Sequence, residues 1–192
     1  MSALITTCRI VAVSAALLWA PVPMAYAACD SARQADLDKD FKLRLKPYLQ
    51  VREKAKSGLA ASKPTTDPAE LQARQELLAE RIRAARATAR QGDILGPPIT
   101  DCLIPLVRRN LTTNTAKRTT KEGNPAEEGA GVKVAVNAPY PPAAPLSTMP
   151  PALLTELPKL PAGLEYRFIG RTLILYDADA CLIVDFLPNA GA

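Results

Sequence analysis

Apolar residues recur at three- and four-residue steps from Asp30 to about Ala61, at Leu37, Phe41, Leu45, Tyr48, Leu49, Ala55 and Leu59, with lysines and acids between them. That period lines one face of a helix and predicts an amphipathic helix. Pro47 is expected to kink or divide it, because proline lacks the amide and crowds the preceding turn. A second stripe, Leu71, Leu78, Ile82, Ala85 and Ala89, runs down to Arg90. Its start is marked by Asp67 as the cap, Pro68 at the first helical position and Glu70 three after the cap. Gly92 is placed to close it in a left-handed conformation. Two such helices with a short connection predict an antiparallel hairpin. A third, short helix, interrupted by Pro105, is expected after Gly96-Pro97-Pro98, with Ile99, Cys102, Leu103, Leu106 and Val107 on its inner face.

The pattern then changes. Residues 112–130 contain no Val, Ile, Leu or aromatic side chain, so they cannot offset the entropy of ordering and read as a flexible linker. Val132, Val134 and Val136 alternate with Lys133 and Ala135, which suggests one short strand. Eight of the 23 residues from Pro139 to Pro161 are proline, which predicts an extended strap, with one or two helical turns at Pro151 to Leu157. The most strand-like segments come last: Leu164 to Ile169, Thr172 to Tyr176 and Cys181 to Leu187, separated by turns at Gly170-Arg171 and Asp177 to Ala180. This spacing describes a three-stranded antiparallel meander, and such a sheet needs a cover on one face. The fold class is therefore α+β: a helical region over 28–111, a linker over 112–130, the strap over 131–163 and the meander over 164–188.

Ahead of all this, Arg9, the apolar run Ile10 to Ala20 and the small-x-small triplet Ala25-Tyr26-Ala27 form a three-part export signal over 1–27. Eleven residues, all apolar but Ser14, would span only about half a bilayer core as a helix, too little for a permanent anchor. Cleavage is expected between Ala27 and Ala28, which directs the protein to the periplasm or the medium with no transmembrane segment left in the mature chain. Cys29 then sits where a lipoprotein signal would place its acylated cysteine. Tyr26 stands where such signals use Leu, Val or Ile, so a lipid anchor through Cys29 is the alternative and not the main expectation.

Composition narrows the chemistry. The chain has 192 residues, a net charge of +5 and no histidine. That removes the ordinary Ser-His-Asp and Cys-His relays and the most common zinc ligand, so neither catalysis, a cofactor nor a metal is expected. Arg74, Arg81, Arg83, Arg86 and Arg90 are interleaved with Glu70, Glu76 and Glu80 but with no aromatic residue, which reads as a solvated helix face and not as a nucleic-acid surface. Asp177 and Asp179 have turn spacing and too few companions for a calcium loop. An enzyme working with carboxylates alone would have to draw on Glu156, Glu165, Asp177 or Asp185, as two acids roughly 5–10 Å apart across a cleft. Of the mature cysteines, Cys102 and Cys181 are the favoured disulfide, stapling the helices to the sheet. Cys29–Cys102 and Cys29–Cys181 stay open, because sequence does not fix connectivity.

The segments IRAARATARQGDIL (Ile82 to Leu95), NAPYP (Asn137 to Pro141) and LPKLPAGLEYRFIGRTLILYDADACLIVDFLP (Leu157 to Pro188) resemble an uncharacterised family of small exported bacterial proteins with a helical front and a short sheet at the end. The resemblance implies export and this architecture, and carries over no catalytic residue. The expected function is thus non-enzymatic, binding or structural, in the bacterial cell envelope. The helical surface or the proline-rich strap would engage an envelope protein or polymer.

Overall fold

The computed structural model describes residues 31–57, 59, 66–118, 134–140 and 149–191. The expected export signal, the expected cut between Ala27 and Ala28, and Cys29 lie outside the described residues. Helices α1 (Ser31–Ser57), α2 (Pro68–Ala85), α3 (Ile99–Arg118) and α4 (Pro151–Glu156) precede strands β1 (Leu164–Ile169), β2 (Thr172–Asp177) and β3 (Leu182–Leu187). The strands form an antiparallel sheet in the order β1-β2-β3, so the chain is α+β.

The stripe on α1 is buried at Leu37, Phe41, Leu45, Tyr48 and Ala55, and Arg52 is buried in phase with it. Pro47 does not divide this helix, which runs unbroken past it. Proline at 47 removes the bond to the carbonyl of residue 43. Leu43 and Pro47 both lie on the exposed side, Leu43 at 69%, where water can take the orphaned carbonyl. α2 opens as the sequence predicts, with Asp67 Oδ1 accepting from the Ala69 amide at 3.0 Å. Leu78, Ala79 and Ile82 are buried, whereas Leu71 is 45% exposed. The helix stops at Ala85, short of Arg90. Beyond it the Arg86 carbonyl accepts from Asn137 Nδ2 at 2.8 Å and from the Ala89 amide at 3.0 Å, while the Arg90 amide, which would continue the ladder, donates to Asp93 Oδ2. Gly92 is left-handed, at φ +86°, but in the loop beyond the helix and not at its cap.

α3 is longer than expected. It passes through Pro105 and reaches Arg118, seven residues into the stretch read as a linker. Asp101, whose carbonyl Pro105 orphans, is exposed. Residues 119–130 of that linker lie outside the described residues. The valine-based strand is corrected as well: Val136 and Asn137 form a turn, and the pairing begins one step later. Asn137 N donates to Ile183 O, Ile183 N to Ala138 O and Tyr140 N to Cys181 O, at 2.8, 2.9 and 2.9 Å, with a bridge between Pro139 and Leu182. The start of the strap therefore covers the free edge of β3, where a proline is tolerated because it owes no ladder bond on its outer side.

Both faces of the sheet are buried. Leu164, Tyr166, Phe168, Leu173, Leu175, Leu182, Val184 and Leu187 join the helices in the main core. Ile169, Ile174, Tyr176 and Ile183 form a second cluster with Val134, Tyr140 and Phe186. Between Leu175↔Asp185 and Tyr176↔Ile183 the register slips by one, so Val184 is the extra residue of a bulge. A bulge re-aims the side chains around it, and here Val184 and Asp185 both face the helical side.

Candidate functional site

Two buried carboxylates organise the junction of helices and sheet. Asp177, at the end of β2, is fully buried. Its Oδ2 accepts from Tyr48 Oη at 2.5 Å and from Arg52 Nε at 2.7 Å, and its Oδ1 from the amides of Asp179 and Ala180 at 3.0 and 3.1 Å. Arg52 Nη2 and Lys56 Nζ both reach Asp179 Oδ2 at 2.5 Å. Gly163, at φ +81°, lies against this cluster: a Cβ there would stand 2.1 Å from Arg52 Nη2. Burial, and then the Asp177 charge, push the Tyr48 hydroxyl far above the ordinary tyrosine range.

Asp185, also fully buried, accepts four backbone amides. Gly92 N and Phe186 N donate to Oδ1 at 2.9 and 2.8 Å, and Ile94 N and Leu95 N to Oδ2 at 2.8 Å each. The loop after α2 is thus wound around one carboxylate, which supplies the acceptors its buried amides need. Gly96 is required for that winding, since a Cβ there would fall 2.1 Å from Gly92 O.

In front of these two anchors, α1 and residues 85–94 enclose a cleft of about 440 Å³. Arg44, Tyr48 and Val51 line one wall, and Arg86, Ala89 and Asp93 the other. Arg86 follows Leu78 and Ile82 by whole helical steps and is drawn inward. It does not belong to the solvated arginine face expected from the sequence. Its guanidinium lies 4.9 Å from the centre of the Tyr48 ring, and Nη1 and Nη2 donate to Asn137 Oδ1 and Val184 O at 2.8 and 3.2 Å. Burial lowers its pKa, against the opposing attraction of Tyr48, Asp185 and Asp93. Arg86 makes no ion pair among the described residues. Arg44, by contrast, pairs with Asp40 at 2.9 Å and donates to Pro97 O at 2.6 Å.

The four carboxylates considered for hydrolysis are not brought together as a free pair across this cleft. Glu156 pairs with Arg109, and Glu165 with Arg167 at 2.7 Å. Asp177 and Asp185 are bound as described. Among the described residues no cluster of three or more acids or cysteines could hold a metal ion, and no helix is long and apolar enough to cross a membrane. The disulfide expectation is corrected: Cys181 is a free thiol, so Cys102–Cys181 is not formed. Cys181 is held left-handed, at φ +49°, in the β2–β3 turn, with its sulfur 3.8 Å from Ala178 O. Cys102 faces α1 and lines a small pocket with Arg33, Asp36 and Leu37.

Sequence reasoning missed Arg52, Arg86 and the anchoring role of Asp185. The signal was present in phase. Arg52 lies four after Tyr48 and three before Ala55, Arg86 lies four after Ile82, and Asp185 interrupts the apolar run Leu182 to Leu187. A charge on an apolar stripe predicts a buried partner. No family model, curated protein or solved structure matches this chain.

Proposed function

We propose that the chain is an exported, non-enzymatic protein of the bacterial cell envelope that acts by binding. One observation carries the absence of catalysis: Glu156, Glu165, Asp177 and Asp185 are each committed to ion pairs or amide hydrogen bonds. A general acid must pass a proton to substrate and a nucleophile must give it an electron pair; Asp177 and Asp185, fully buried and holding the fold together, cannot do so without opening it, and Glu156 and Glu165, nearer the surface, are each held by an arginine. The bonds of Asp177 to Tyr48 and of Asp185 to the amide of Ile94 favour binding, because they fix the walls of the α1/85–94 cleft before any ligand arrives. Support for export comes from the three-part pattern over residues 1–27.

Mass spectrometry of the protein recovered from periplasm and medium tests the location, with a mature chain starting at Ala28 as the expected result. Retention in the cytoplasm with residues 1–27 intact would overturn it. Assays against aryl glycosides test the chemistry. Turnover that is lost in Glu156→Gln or Glu165→Gln would replace binding with hydrolysis.

A further inference from the structure

We propose that the cleft between α1 and residues 85–94 binds a small organic anion, a carboxylate or phosphate ester with an apolar body, through the Arg86 guanidinium. The inference rests on the binding reading above and names its ligand class. Arg86 is half-buried and carries a full charge, yet it makes no ion pair among the described residues. A charge withdrawn from water without a counter-charge is costly. The two acids near it do not serve. Asp185 spends both oxygens on four amides, and Asp93 Oδ2 accepts from the Arg90 amide at 2.8 Å on the exposed rim.

Only two of the five guanidinium N–H groups are accounted for, by Asn137 Oδ1 and Val184 O. Both acceptors are neutral, so they orient the fork without discharging it. The guanidinium carbon lies over the Tyr48 ring, 4.9 Å from its centre, which restrains its position. A planar fork held in this way suits a carboxylate or phosphate. Arg44, also on the cleft wall, adds positive potential, although Asp40 and the Pro97 carbonyl already engage it. Pro47, Val51, Ala89 and Ile94 supply apolar wall, and about 440 Å³ is within the range of small-molecule pockets. The cleft therefore accommodates an anion with a hydrocarbon or ring portion better than a bare ion.

The test is a titration of the mature, ¹⁵N-labelled protein with sodium benzoate, with inorganic phosphate and with sodium chloride at matched ionic strength. The readout is the Arg86 Nε–Hε resonance. The expected result is a saturable shift at Arg86 with benzoate at low millimolar concentration or tighter, a weaker one with phosphate, and none with chloride. Phosphate shifting Arg86 more than benzoate would assign the site to phosphate esters over carboxylates and still support an anion site. Ala89→Leu, which fills the cleft and leaves every charge in place, is expected to weaken benzoate at least tenfold. Arg86→Gln is expected to abolish the shifts of the other cleft residues. Where Arg86→Gln fails to fold, the Ala89→Leu comparison decides. No saturable shift at Arg86, equal shifts with chloride, or shifts unchanged in Ala89→Leu would overturn the anion site. These outcomes are separate from those that would overturn export or reveal turnover.

Discussion

Arg52 Nε donates to Asp177 Oδ2 at 2.7 Å, and both side chains are almost completely removed from water. This bond ties the C-terminal part of α1 to the end of β2, and Tyr48, one helical turn earlier, holds the same oxygen. A buried ion pair is a weak source of net stability, but breaking it from one side strands the other charge. Arg52→Met is therefore expected to cost about 3–5 kcal/mol. Adding Asp177→Asn, which keeps the acceptor for the turn amides but removes the charge, is expected to recover a measurable part of that loss. Urea denaturation of the two single variants and the double variant checks this. Strictly additive losses would show that the two charges are not coupled.

Asp185 has a different role, since its partners are all backbone amides. Asp185→Ala would leave the Gly92, Ile94 and Leu95 amides unsatisfied in a buried loop, at about 1–3 kcal/mol per stranded group before any relaxation. The expected signature is local: hydrogen exchange at Ile94 and Leu95 should accelerate by orders of magnitude, while amides in the middle of β2 keep their protection or lose it only in step with global stability. Uniform acceleration throughout the chain would show that the loop is not a separate unit.

The order of elements was legible because it rests on periodicity and local chemistry. Asp67-Pro68 starts α2, and the Gly170-Arg171 turn joins β1 to β2 where the pattern placed it. What the sequence concealed depends on long-range partners. The end of α2 is satisfied in part by Asn137, about fifty residues away in the chain, and the continuation of α1 past Pro47 depends on an exposed position for the orphaned carbonyl. The edge pairing of 137–140 escaped detection because prolines argue against strands in general, while a sheet edge accepts them. Arg52 and Arg86 were hidden among many surface arginines, and only their phase with the apolar stripe separates them from the rest.

Alkaline stability follows from the tyrosines. The Tyr48 hydroxyl, buried and bonded to Asp177, is pushed well above its ordinary value near 10, and burial raises Tyr166 and Tyr176 in the same direction. In the unfolded chain these hydroxyls release their protons near pH 10, whereas the folded protein retains them. Above pH 10 the folded state therefore binds more protons, and stability falls with rising pH. The contribution is fully present below pH 10 and is lost as pH climbs through the folded values. Tyr48→Phe is expected to lose about 1.5–3 kcal/mol at neutral pH, from the missing hydrogen bond to a charged carboxylate. It should also flatten the decline between pH 10 and 12 by up to about 1.4 kcal/mol per pH unit. Denaturation midpoints of both proteins from pH 7 to 12 measure this, and parallel curves would assign the decline to other groups.

The cysteines offer a decisive measurement on the purified protein. Cys181 is free, and Cys102 is not among the free thiols. Cys102 lies in the first turns of α3 and lines a pocket with Arg33, Asp36 and Leu37 near the start of α1, four to eight residues after Cys29 in the chain. The expected bridge is therefore Cys29–Cys102, which would close a loop of about 70 residues and stabilise the fold by about 4 kcal/mol on the chain-entropy model. Iodoacetamide applied without reductant should label Cys181 alone, and proteolysis should release a linked peptide containing Cys29 and Cys102. Reduction should lower the denaturation midpoint of the wild type and leave that of Cys102→Ser unchanged. An acyl group on Cys29 would instead make the protein lipid-anchored and leave Cys102 open to alkylation. The two chemistries compete for the same sulfur, so one mass spectrum decides between them.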